Sequence, residues 1–198
     1  MGVLPEHLVR GRDYTYGHTV NESLAILREV DKMGLSIPLA ISFSLKGVYY
    51  APKFANPSSP NPNEFQLFKP CEDHSKPYYD DPHNLCKQTQ GNWIPQKSLP
   101  VLAHNIDQKK AMTYLTEITV AQLACEGKVF NLKLNFALAA YDADFDQGAK
   151  CPRLGFDIFG GSYNRLLNMR KVMDFLRNSY TSAKDNFDCQ SVAVNLPF

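Results

Sequence analysis

Hydrophobic positions between Asn131 and Cys151 set the pattern of the chain. Leu132, Leu134, Phe136, Leu138 and Ala140 alternate with Lys133, Asn135, Ala137, Ala139 and Tyr141, and past Asn135 the run is almost wholly apolar. Such a segment reads as a strand covered on both faces. It runs into Tyr141 and three acids, Asp142, Asp144 and Asp146. A second buried strand is predicted over Pro38 to Leu45, closed by Lys46-Gly47 and extended by Val48-Tyr49-Tyr50.

Helical spacing frames these strands. Thr19-Val-Asn-Glu22 reads as a capping box, followed by Val20, Leu24, Leu27, Val30 and Met33 and a stop at Gly34. Ala111, Leu115, Ile118 and Cys125 predict a helix over 108–125 with Gly127 as its stop. Ser162 is placed as the cap of a last helix, with Leu166, Met169, Met173 and Leu176 as its buried stripe. Arg165, Arg170, Lys171 and Asp174 are placed on its outer face. Residues 1–18 read as a loop or linker and 181–198 as an extended polar tail. Between the strands, prolines at 52, 57, 60, 62, 70, 77, 82, 95 and 100 mark an insertion with short strands of its own. A helix after each buried strand predicts an α/β fold with parallel strands.

Composition narrows the function classes. A net charge of +1 offers no electrostatic case for nucleic acid or an acidic membrane. No apolar run approaches twenty residues, and MGVLPEHLVRGRDY has no apolar core of a signal peptide. Glu6 stands where N-myristoylation at Gly2 needs Ser or Thr. The five cysteines, 71, 86, 125, 151 and 189, contain no C-x-x-C and lie mostly in polar, Pro- or Gly-rich surroundings, which suits disulfides in an oxidising, extracellular setting. Asn21-Glu22-Ser23 adds a glycosylation sequon.

The candidate chemistry is thin. On an extended chain Asp142, Asp144 and Asp146 point one way. A calcium loop would need Gly where Gln147 stands and Glu where Arg153 stands. Two of the acids could form a glycosidase pair. The histidines at 7, 18, 74, 83 and 104 lack metal spacing and read as surface residues. Gly160-Gly161-Ser162 ahead of a helix reads as a plain helix start rather than an anion site. No metal and no cofactor is expected.

Four segments taken together resemble the C-terminal part of glycoside hydrolase family 18, the chitinases and chitinase-like lectins. PLAISFSLKGVYY resembles the seventh barrel strand and its turn, and residues 51–107 the insertion domain. LAAYDADFDQ resembles the eighth strand, and GGSYNRLLNMRKVMDFL the final helix. The resemblance implies the C-terminal part of a TIM (β/α)8 barrel, incomplete in this chain, with a small α+β chitinase insertion domain. Residues 19–50 would supply a barrel helix and strand, and 108–180 a barrel helix, the last strand and the C-terminal helix. A competing register sets Ala139 to Asp146 on the family's D-x-x-D-x-D-x-E motif. The distance from Gly47 argues against it, and neither register has the Glu proton donor, so no catalytic residue is assigned.

The resemblance puts Tyr141 at the aromatic floor of a sugar subsite, with Asp142, Lys46 and Tyr49 as further carbohydrate-binding residues. Lys46 and Val48 replace the family's Tyr and Arg. It implies a Cys86–Cys151 bridge, worth ~3–5 kcal/mol in the chain-entropy model. Cys71–Cys125 is a second pairing, leaving Cys189 over. The expectation is a piece, or a truncated form, of a secreted chitinase-like protein that binds chitin or other N-acetylglucosamine glycans without hydrolysing them. Two alternatives stand beside it. One is a protein-binding modulator using Tyr49, Tyr50, Tyr78 and Tyr79. The other is an active glycosidase, with its acids in a missing N-terminal half or at Asp144 and Asp146.

Overall fold

A computed structural model of the 198-residue chain describes residues 20–66, 69–71, 78–87, 92–95, 102–147, 151 and 162–193. The fold is mixed α/β, with two sheets and no closed barrel among the described residues. Helix α1 (Val20–Lys32) ends at Gly34, whose φ of +67° is the left-handed value that glycine adopts without cost. It leads to β1 (Ala40–Ser44), which pairs in parallel with a strand nearly a hundred residues on, Ala137–Tyr141, in the register Ala40↔Ala137 to Ser44↔Tyr141. The chain between builds the second sheet.

That sheet is antiparallel and five-stranded. Its strands are β2 (Gly47–Tyr50), β3 (Tyr78–Asp80), β4 (Ile94–Pro95), β5 (Leu102–Asn105) and β6 (Lys110–Thr113), ordered β3-β2-β6-β5-β4. A short helix, α2 (Asn84–Lys87), lies between β3 and β4. Alternation along the strands separates two cores. Val48, Tyr50, Leu102 and Ala111 pack with Phe65 and Cys71 on one side. Tyr49, Ala103 and Met112 pack with Leu85, Trp93 and Cys151 on the other. The sheet thus runs from Gly47 to Thr113 and reaches past both edges of the insertion read at 51–107.

Two expectations are corrected here. Residues 110–113 are a central strand, not the first turn of a helix, because β6 is hydrogen-bonded between β2 and β5. The helix that follows, α3 (Glu117–Val129), starts at Thr116. There the Thr116 hydroxyl accepts from the Thr119 amide at 3.2 Å, and the Thr116 amide donates to the Thr119 hydroxyl at 2.7 Å. Gly127 does not stop this helix; it lies inside it. A Cβ at Gly127 would stand 2.8 Å from Leu24 Cδ1, so the glycine lets α1 approach α3. The end of α3 is instead held by Asn131 Nδ2 donating to the Gly127 carbonyl and by Lys128 Nζ donating to the Leu134 carbonyl.

After α3 come β7 (Ala137–Tyr141), α4 (Asn164–Asn178) and α5 (Asn186–Ser191). Leu24, Leu27, Ile41, Phe43, Leu45, Val120, Leu134 and Met169 form a core joining α1, β1, α3 and α4. Residues 183–191 are helical rather than extended, and 194–198 lie outside the described residues. The helical segment is docked through Cys189 and Ala193 against Ala121, Ala124, Cys125, Val172 and Leu176. Helix α4 begins at Asn164, with Tyr163 and not Ser162 at its cap position. Thr19 and the side chains of Asn21 and Glu22, hence the capping box and the sequon, lie outside the described residues.

Cys86 is bonded to Cys151 and Cys125 to Cys189, with Cα–Cα separations of 5.8 and 5.9 Å. The second bond corrects the Cys71–Cys125 pairing. Cys125 faces α5 on the α3 side of the molecule, whereas Cys71 is buried against the five-stranded sheet. Two disulfides fit an oxidising setting. No described helix is long and apolar enough to cross a membrane.

Candidate functional site at the carboxyl end of the parallel strands

Both parallel strands end at one place. The Leu45 amide donates to the Tyr141 carbonyl at 2.9 Å, extending the ladder by one residue. Beyond it the chain turns sharply. Asp142 adopts φ 54°, ψ 46°, a left-handed conformation that Asp tolerates better than most residues, and a 3-10 turn follows over Ala143–Phe145. Ser44 Oγ donates to Asp142 Oδ2 at 2.6 Å. Lys46 Nζ stands 3.4 Å from the same oxygen and 3.8 Å from the centroid of the Tyr79 ring. Tyr141 is 46% exposed. Ser44, Lys46, Tyr79 and Asp142 therefore form one cluster of a hydroxyl, an ammonium group, an aromatic ring and a carboxylate, and the exposed Tyr141 adjoins it as the residue before Asp142 and the register partner of Ser44.

The three acids do not act together, because the turn breaks the extended geometry that would align them. Asp144 is exposed. Asp146 is 1% exposed, its Oδ1 accepting from Arg165 Nε at 2.8 Å and its Oδ2 from the Leu166 amide at 3.1 Å. No group of three acidic, His or Cys side chains is placed to hold a metal ion among the described residues. A glycosidase pair of Asp144 and Asp146 loses its support, since Asp146 is committed to a guanidinium in the interior.

Other expected site residues are placed elsewhere. Tyr49 packs edge-on against Trp93, centroids 5.6 Å apart, and belongs to the core of the five-stranded sheet. Tyr50 is buried. The tyrosine-lined contact surface is thereby reduced, because two of its four rings serve packing. The side chain of Tyr78, together with His74, Arg153, Gly160 and Gly161, lies outside the described residues.

Arg165 and His83 overturn their outward placement. Arg165 is 0% exposed, because it lies on the α4 face shared with Asn168, Met169 and Val172. Its Nη1 donates to the Leu45 and Leu115 carbonyls at 2.7 and 3.1 Å, and its Nη2 to the Phe145 carbonyl at 2.6 Å. His83, 5% exposed, has Nδ1 2.6 Å from Asp81 Oδ1. Burial acts to raise the Asp81 carboxyl, but its hydrogen bonds with His83 outweigh this and hold it below the ordinary value. Nearby Glu117 is pushed up by burial, against the opposing pull of Arg165 and His83.

In comparison with known proteins, no family model and no curated protein matches the chain.

Proposed function

We propose that the chain is a piece, or a truncated form, of a secreted chitinase-like protein that binds chitin or other N-acetylglucosamine oligosaccharides without hydrolysing them. In this reading β1 and β7 are the last two strands of a (β/α)8 barrel, and the five-stranded sheet is the insertion domain between them. The observation that carries it is the exposed Tyr141 beside the Ser44–Asp142–Lys46 cluster at the carboxyl end of two parallel strands. This is where α/β proteins gather ligand-binding groups. An exposed ring takes the apolar face of a pyranose, while the carboxylate accepts from sugar hydroxyls and the ammonium donates to them. The position of the antiparallel sheet, inserted between the two parallel strands, and the Cys86–Cys151 bridge support the same reading. Binding without cleavage by these residues is supported by Asp146, whose carboxylate Arg165 occupies.

Titration calorimetry with chitotetraose and chitohexaose tests the proposal. Saturable binding is expected, weakened about tenfold or more in Tyr141→Ala, the loss expected for one stacking contact and its buried area. No binding, or binding that Tyr141→Ala leaves unchanged, would overturn it.

A further inference from the structure

We infer that Arg165, with Asp146, is a positioning residue for the Tyr141–Asp142 cluster; the assignment rests on the glycan-binding reading of that cluster. The hydrogen bonds described for Arg165 run to Asp146 and to backbone carbonyls. Arg165 grips the backbone of both turns that carry the exposed groups. One is the Leu45 carbonyl, lying between Ser44 and Lys46; the other is the Phe145 carbonyl, which closes the turn after Asp142. Leu45 is held from both sides, its amide on the Tyr141 carbonyl and its own carbonyl on Arg165. The Phe145 amide in turn donates to the Asp142 carbonyl at 3.0 Å. The guanidinium is a planar fork with fixed donor directions, so these bonds set where the two turns stand relative to each other. Asp146 fixes the fork by accepting from Nε. The left-handed Asp142, which an unsupported chain would abandon, is thereby kept where Ser44 and Lys46 reach its Oδ2.

A residue serving stability alone would leave the Ser44–Asp142 contact intact in any variant that still folds. The test reads that contact first, without ligand, from the side-chain carboxyl resonance of Asp142 and the amide resonance of Tyr141. Both are expected to move in Arg165→Lys and in Asp146→Asn, and to stay in place in the exposed control Arg170→Lys. Near-UV circular dichroism identifies variants that keep the fold. If Arg165→Lys fails to fold, Asp146→Asn carries the measurement. Unmoved resonances in folded variants overturn the assignment, and so does the loss of the fold in both. The second reading is affinity for chitohexaose. It is expected to fall about tenfold in Arg165→Lys, the effect of losing one charged hydrogen bond. Adding Ser44→Ala should cause no further loss, because both changes act through the same carboxylate. Additive losses overturn the assignment. If the wild-type chain binds no glycan while the resonances move as expected, the glycan-binding proposal falls and the positioning assignment stands.

Discussion

Glu117 stands in the first turn of α3 with 6% of its surface exposed. Burial raises its pKa above the ordinary 4.5, against the opposing charges of Arg165 and His83. The unfolded chain therefore releases this proton at a lower pH than the native protein does. Between the two values the native state holds more protons, so stability falls as pH rises from 4.5 through the raised native value. Glu117→Gln removes that dependence. Urea unfolding at acid and neutral pH should show a flatter profile for the variant, which at neutral pH should be at least as stable as wild type. A variant clearly weaker at neutral pH would show that the ionised carboxylate helps the fold. At this scale the place of Tyr141 and Asp142 at the end of a strand could be read from the chain, because the apolar run stops there. That of Arg165 could not. A charged residue in an amphipathic helix belongs outside by default. The carbonyls that draw it in lie 20, 50 and 120 residues away.

Elements were readable where local pattern and tertiary pairing agree. β1, α1 and α4 follow their hydrophobic periods, and Gly34 ends α1 with the backbone angle its residue type favours. β7 is shorter and less covered than its apolar run predicts: it spans only Ala137–Tyr141, both its ends are exposed, and Leu132 is exposed in the turn after α3. The 108–125 stretch fails because Ala111, Leu115 and Ile118 mimic a helical face. In the fold a turn at Ile106–Lys109 folds 110–113 back on β5, and the true helix start is the Thr116–Thr119 pair, which begins three residues after Thr113. That pair offers its own check. Thr116→Ala removes a buried acceptor from the first turn of α3 and should cost about 1–2 kcal/mol, with Thr116→Ser restoring most of it. Thermal unfolding reads the effect as a drop of a few degrees. An unchanged midpoint would mean the α3 start is held by packing alone.

For the whole molecule, pairing among cysteines is settled by space rather than by spacing. Cys189 sits in a polar segment with no periodic signal, and only its docking on α3 shows Cys125 as its partner. In the chain-entropy model each bond, closing a loop of about 65 residues, is worth roughly 4 kcal/mol. The two loops interleave, 86 to 151 across 125 to 189. One backbone cut at any point from 86 to 189 therefore leaves both pieces covalently joined. Trypsin cleavage after the exposed Arg177 is the informative nick. Its product should migrate as one species on a non-reducing gel and release a short C-terminal peptide only when reductant is added. A Cys71–Cys125 bond would let that peptide go at once. The same interlock would let a nicked copy keep its two parallel strands and the turn at Asp142 assembled.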